Sequence, residues 1–249
     1  MSGHSKWANI KHRKEGQDAL KGAIFTKMAR EIIVAAKMGG GDPAANFRLR
    51  IAVQKAKDNK MPSSNIERAI KKGAGEAGTG EAYVETTYEG YTSGGAAVLV
   101  QALTDNRNRT AAEVRGAFTK FGGSLGEAGS VGWMFTPKGL ISAEAPDGKA
   151  DDNALAAIDA GAEDVKIDGT SLEVYTAPTD TEKVRQALEA QGVTINSSDL
   201  QMVPSTTTPL DEKTGERALR LLDALDSLDD VQKVFSNADI PDSVLAAAG

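Results

Sequence analysis

The chain of 249 residues has no cysteine, two histidines, two tryptophans and only 5% aromatic residues. The missing thiols exclude disulfides, cysteine nucleophiles, iron–sulfur clusters and thiolate zinc sites together, and they fit a reducing compartment. With His4 and His12 as the whole imidazole supply, histidine-based metal sites and catalytic triads have little to draw on. No stretch approaches 18 consecutive apolar residues, and the opening MSGHSKWANIKHRK lacks the apolar run of a secretory signal. A cytoplasmic protein without a membrane partner is expected.

What the chain does have is charge, unevenly spread. Its first 72 residues hold 16 Lys and Arg against 6 Asp and Glu, while the remaining 177 hold 13 against 29. The net charge of −6 therefore hides one part at +10 and another at −16. Like charges crowded onto a small domain repel, so a cationic module in an acidic protein calls for a polyanion, with nucleic acid the first candidate.

The length suits two or three domains, and 40% hydrophobic residues can bury a core in each. Residues 1–15 are polar, basic and too poor in apolar side chains to bury themselves, so they are read as an arm. Leu20, Ile24, Met28, Ile32 and Ala36 recur every four positions and predict a helix over residues 16–37, with Lys27, Arg30 and Lys37 roughly opposite the apolar stripe. Gly39 to Gly41 ends it. Asp42 as N-cap and Pro43 at the first helical position predict a second helix to about residue 59, carrying Arg48, Arg50, Lys55 and Lys57. A third is expected to open on a capping box of Ser64 and Glu67 after Pro62, bury Ile66 and Ile70, and stop at Gly73 after Lys71 and Lys72. The run GAGEAGTG over residues 73–80 reads as a linker.

Beyond the linker the period shortens to that of strands. Residues 83–91 and 96–104 read as a hairpin around Thr92-Ser93-Gly94-Gly95, followed by a helix over residues 110–121 and strand character over residues 131–135. Residues 139–203 read strand, helix, strand, strand, helix, strand, the ferredoxin-like βαββαβ order. A helix over residues 212–225 and a strand over residues 231–235 have no sheet nearby in sequence and are assigned to the sheet of the earlier hairpin. The expected fold class is α+β multidomain: an N-terminal helical domain followed by two α/β domains, the ferredoxin-like third inserted into the second. The expected boundaries are residues 1–76, residues 81–135 with 205–249, and residues 136–204.

Motifs that suggest catalysis fail on context. Gly73 to Gly78 fits G-x-G-x-x-G but follows a helix and contains Glu76, whereas a dinucleotide fingerprint links a strand to a helix N-terminus. Gly122 to Gly126 fits the G-x-S-x-G nucleophile elbow, yet no histidine follows His12, so the hydrolase order of triad residues cannot be built. Asn108-Arg109-Thr110 and Asn196-Ser197-Ser198 match a glycosylation acceptor without a secretory context. Asp151-Asp152 and Asp229-Asp230 lack cation-loop spacing and read as solvated charges near helix ends. No catalytic, cofactor or metal residues are assigned, and no small-molecule substrate is expected.

The arm differs in kind, because Lys6, Lys11, His12, Arg13 and Lys14 flank Trp7, so cations for phosphates surround a plane that can stack on a base. A solvated tail with Trp7 docked on the helices is the plain structural account. The candidate binding set adds Lys21, Lys27, Arg30, Lys37, Arg48, Arg50, Lys55, Lys57, Lys60, Arg68, Lys71 and Lys72 of the helical module, and Arg107 and Arg109 between a strand and a helix. That last pair can touch phosphate, or it can cap the helix and pair with Glu113.

Gly3-His4-Ser5-Lys6-Trp7, Asn9-Ile10-Lys11-His12-Arg13-Lys14, Phe25-Thr26-Lys27, Gly39 to Pro43, Lys55-Ala56-Lys57, Tyr88-Glu89-Gly90-Tyr91, Thr104 to Thr110 and Gly132-Trp133-Met134-Phe135 together resemble the YebC/PmpR family. The likeness runs over nearly the whole chain. It implies three domains, an N-terminal helical one and two α/β domains with the third inserted into the second. It also implies a probable transcriptional regulator that binds promoter DNA. Other members, including a mitochondrial activator of cytochrome oxidase subunit translation, look like ribosome-associated translation factors, and bacterial members are linked to relief of stalling at proline-rich stretches. One departure is Ala19-Leu20-Lys21-Gly22-Ala23, where the family usually reads Ala-Lys-Arg-Gly-Lys, two more cations.

The leading expectation is a non-catalytic nucleic-acid-binding regulator of gene expression with DNA, RNA or both as partner. In its transcriptional version a few side chains read base edges in a groove. The translational version adds ribosomal RNA and the ribosome, where single-stranded loops and stacking matter more. A metal-dependent nuclease is the remaining alternative, and it would need several carboxylates beside the basic surface, where the module offers six acidic residues and uses two as helix caps.

Overall fold

The computed structural model describes residues 18–75 and 83–248. Three helices come first: α1 over Asp18–Gly39, α2 over Phe47–Asp58 and α3 over Ser63–Gly73. Their apolar stripes meet in one core of Met28, Ile32, Ile33, Leu49, Val53 and Ile66 with small alanines between them. Gly73 lets α3 cross α1 closely, because a Cβ there would lie 2.4 Å from the Ile33 carbonyl oxygen.

Two helix starts differ from the sequence expectation. Asp42 closes a local turn, its carboxylate accepting from the Ala44 N–H and its carbonyl from Asn46, and the second helix begins only after Asn46. Asn46 is buried; its Oδ1 caps the Leu49 N–H at 3.1 Å while its Nδ2 donates to the carbonyls of Ala35 at 2.7 Å and Gly40 at 2.9 Å. One amide thus satisfies a helix start and the end of the preceding helix, which a solvent-facing aspartate cannot do. The third helix starts after Pro62 with no side-chain cap, so the Ser64 and Glu67 capping box does not form. The Pro62 carbonyl accepts from Asn65 and Ile66 instead.

The first sheet runs β3-β1-β2-β9, antiparallel throughout, from β1 (Val84–Tyr91), β2 (Ala97–Thr104), β3 (Ser124–Leu125) and β9 (Val231–Ser236). Helices α4 (Arg107–Lys120) and α7 (Glu212–Asp226) cover one face, where Val98 and Val100 meet Val114, Phe118, Leu221 and Leu222. The other face of β2 is buried as well, Ala97 and Leu99 packing with Phe235, Val131 and Phe135. Burial on both sides explains the apolar run over residues 97–100 that opens this strand. The last helix, α8 (Asp242–Ala248), adds Val244 and Leu245 to the core between this sheet and its helices. A parallel bridge pairs β8 (Thr208–Pro209) with β10 (Ala238–Asp239).

Between β3 and β9 the chain makes a second antiparallel sheet, β5-β6-β4-β7, from β4 (Phe135–Glu144), β5 (Ala162–Asp168), β6 (Ser171–Thr176) and β7 (Thr194–Pro204). Helices α5 (Ala150–Ala160) and α6 (Thr181–Ala190) give the βαββαβ order, and Ile141, Leu172, Val174, Val184 and Leu188 form its core. The fold is therefore α+β, a helical domain followed by two α/β domains with the ferredoxin-like one inserted. Residues 131–135, expected as a strand, make a 3-10 turn over Gly132–Met134 before β4 begins. The cause is buried Glu89, whose carboxylate accepts from the N–H groups of Gly129, Val131 and Gly132 at 2.6 to 2.8 Å.

Asn46→Ala is expected to cost roughly 2 to 4 kcal/mol, a lost cap plus two stranded carbonyls. Asp42→Ala, at an exposed turn, should cost under about 1 kcal/mol. Urea unfolding of both variants distinguishes them, and equal losses would contradict the assignment of Asn46 as the tertiary cap.

Candidate nucleic-acid interface

The basic helices are fastened to the acidic body through buried and half-buried carboxylates. Asp230, just before β9, is 1% exposed, and its backbone carbonyl accepts from Leu103. Its Oδ2 accepts from Arg109 at 2.6 Å, Thr110 at 2.7 Å and Thr104 at 3.0 Å. From the helical domain, Arg30 brings Nη2 to 3.3 Å of the other carboxylate oxygen and donates Nη1 to the Asp229 carbonyl. Burial pushes the Asp230 carboxyl up, but the hydrogen bonds of Arg109, Thr110 and Thr104 with the charge of Arg30 outweigh it and hold the group below its ordinary value. One turn of α1 earlier, Lys27 lies 3.5 Å from the carboxylate of Asp226.

A second carboxylate joins all three domains. Asp199 on β7 of the inserted sheet receives Lys55 of α2 at 3.1 Å and Lys233 of β9 at 2.9 Å. Lys233 also donates to the Leu200 carbonyl at 2.7 Å. Burial raises the Asp199 carboxyl, and the two ammonium groups overcome it and bring it down to about 2. For Lys233 burial dominates and lowers its proton affinity despite Asp199. Arg48 pairs with Glu85 at the start of β1, an exposed contact of small energetic weight.

These pairs divide the cations expected to meet a polymer. Lys27, Arg30, Arg48 and Lys55 are turned to carboxylates of the body. Arg109 follows the capping alternative with different partners: Asn106 caps α4 by accepting from the Arg109 N–H, and the guanidinium bridges Asp105 and Asp230, not Glu113. Those two carboxylates hold Arg109 above the ordinary arginine range. Arg107 next to it is exposed. Asp230, expected as a solvated charge, is the most engaged carboxylate of the interface.

Lys37, Lys57, Lys60, Arg68 and Lys71 are exposed and make no ion pair among the described residues. Lys60 stands out, because it ends α2 at φ +60, a left-handed position that glycine usually takes. Lys72 is half-buried. Lys6, Trp7, Lys11, His12, Arg13 and Lys14 lie outside the described residues, as does the side chain of Lys21. Sequence reasoning missed Phe47, Met38 and Ile51, large apolar side chains left exposed beside Arg48 and Arg50. The signal was present, since Phe47 directly follows an Asn that can cap a helix and therefore sits on its outer first turn.

Among the described residues no helix is long and apolar enough to cross a membrane, and no group of three or more His, Asp and Glu side chains is placed to hold a metal ion.

Comparison with known proteins adds a consistent context. Residues 5–76 match the family model described as the TACO1/YebC protein N-terminal domain, and residues 83–238 match the TACO1/YebC second and third domain. A probable transcriptional regulatory protein of Dehalococcoides mccartyi is 57% identical over 245 residues, covering 98% of this chain and 97% of its own length. One from Moorella thermoacetica, also named a probable transcriptional regulatory protein, is 55% identical with 98% of each chain covered. The crystal structure of a conserved hypothetical protein from Aquifex aeolicus superposes with a TM-score of 0.81 at 46% identity, covering 90% of this chain and 93% of that one.

The Asp199 clamp has a defined pH window. Its carboxyl sits at about 2 against an ordinary 3.8, so its contribution is full above about pH 4 and is lost as pH falls through about 2. Small-angle scattering of the wild type is expected to show expansion across that window. Asp199→Asn should already be expanded at neutral pH and respond less to acid; a variant as compact as the wild type would remove Asp199 from the docking.

Proposed function

The chain belongs to the TACO1/YebC family, and from that premise we propose that it is a regulator of gene expression that works without catalysis, holding nucleic acid on the exposed cations of its helical domain. Its relatives carry the name of probable transcriptional regulators, which makes DNA the first polymer to consider. The observation that carries the reading is the division of charge. Body carboxylates occupy Lys27, Arg30 and Lys55, whereas Lys37, Lys57, Lys60, Arg68 and Lys71 face solvent with no ion pair among the described residues. Solvated cations on a rigid scaffold can displace the counterions of a phosphate backbone at little reorganisation cost. The arm residues Lys6, Trp7, Lys11, His12, Arg13 and Lys14, with Lys21, would extend the same grip. The acidic body orients it, because a polyanion is repelled by a surface at −16 and steered to the part at +10.

A second reading, RNA on the ribosome, draws support from the exposed Phe47 ring beside Arg50, since unpaired bases stack on such planes. The nuclease alternative has less to build on. The acids of the basic module are dispersed, Asp42 in a turn and Asp58 accepting from Gln54.

Binding measured against salt concentration tests the proposal. Replacing Lys57, Lys60 and Lys71 together by Ala should reduce the slope of log affinity against log salt by roughly 2 to 3. An unchanged slope would exclude this face. Lys60→Gly separates binding from folding: relief of the left-handed strain should raise stability by about 0.5 to 1 kcal/mol while affinity falls. A destabilised variant with intact binding would contradict the role given to Lys60.

A further inference from the structure

We infer that the exposed ring of Phe47 is a stacking platform for an unpaired nucleobase, so that the helical domain selects single-stranded or looped nucleic acid over duplex. The inference rests on the reading of this domain as a nucleic-acid grip. Phe47 is 67% exposed at the first turn of α2, with Ile51 one turn later on the same side at 44% and Met38 at the end of α1 at 69%. Large apolar side chains left in water on a small domain gain nothing for the fold, and Phe47 with Ile51 one turn on makes an exposed apolar strip of the kind that marks an interaction site.

Its setting fits a base better than an apolar protein surface. The Arg50 guanidinium lies over one face of the Phe47 ring, 5.3 Å from its centre, and places positive charge beside the face left open. Arg48, which reaches the Met38 sulfur at 3.2 Å, is paired with Glu85 and leaves Arg50 as the guanidinium beside the ring. A base that stacks there brings a phosphate with it, and the Arg50 guanidinium is at hand to meet it. A purely apolar partner would have to cover the Arg50 guanidinium without neutralising it.

The platform is also held in place. Asn46, immediately before Phe47, is locked by hydrogen bonds to Ala35, Gly40 and Leu49. Gly39 leaves the room that Asn46 needs, because a Cβ there would lie 2.6 Å from the amide nitrogen. The ring therefore starts from a fixed helix end, and little backbone entropy is lost when a base arrives.

The test uses the full chain and fluorescence anisotropy with three probes: an oligouridine of about 12 nucleotides, oligothymidine of the same length and a duplex of about 12 base pairs. Phe47→Ala is expected to weaken single-strand binding about 5- to 150-fold, from the roughly 1 to 3 kcal/mol of one base–aromatic stack. Duplex affinity should change less than about twofold, and Phe47→Trp should restore the loss. A loss confined to oligouridine or to oligothymidine supports the platform and tells which polymer it takes. Phe47→Leu keeps apolar volume without a π-face and should behave as Ala; wild-type affinity in this variant would overturn stacking. Equal loss on all three probes, or none, would also overturn it and leave the patch to an apolar protein partner. Wild-type protein that binds no probe would instead remove the grip itself. Because the ring is exposed, all three variants should melt with the wild type.

Discussion

A carboxylate withdrawn from water needs cations around it, and in this protein part of that supply comes from another domain. Asp230 is buried between Thr104, Thr110 and Arg109 and completed by Arg30 from α1, while Asp199 is held between Lys55 and Lys233. Removing the helical cations would leave these acids under-compensated in a poorly solvated place, which costs far more than an exposed ion pair gains. The position of the basic domain on the body is therefore set by charge neutralisation more than by a shared apolar core. Its own core of Ile32, Leu49 and Ile66 is separate from the two sheets.

That constraint sorts a crowded positive domain into two populations. Cations facing the body are spent on holding the molecule together. Lys37, Lys57, Lys60, Arg68 and Lys71 stay exposed with no ion pair among the described residues, and on the proposed reading a polyanion would relieve their mutual repulsion. On that reading the arrangement would also give direction, since a phosphate polymer approaching the anionic sheets would meet repulsion until it reached the helices. In the same way Glu89 fixes the 3-10 turn through three backbone N–H groups and leaves Trp133 outside at 76% exposure, its indole N–H satisfied by the Ser130 carbonyl.

Much of the architecture was legible because it is written in periodicity. The four-residue stripe of α1, the alternation of the βαββαβ unit and the unpaired 231–235 segment each named their place, and the last joined the hairpin's sheet as expected, on its β2 edge. The misses share a physical origin in contacts distant along the chain. Asn46 outranks Asp42 as a cap only because Ala35 and Gly40 present carbonyls to it, and residues 131–135 leave strand geometry because Glu89, 42 residues before Val131, accepts from their N–H groups. The charge division was visible in composition, whereas its pairing was not. Lys27 finds Asp226 across 199 residues, and no local pattern announces that.

Crosslinking of the full chain to bound nucleic acid, with the attached peptides identified by mass spectrometry, tests the central claim most directly. The account predicts adducts on the peptides bearing Lys57, Lys60, Arg68 and Lys71 and none on the segment from Asp226 to Asp230. Adducts concentrated on the acidic sheets, or none at low ionic strength, would contradict it.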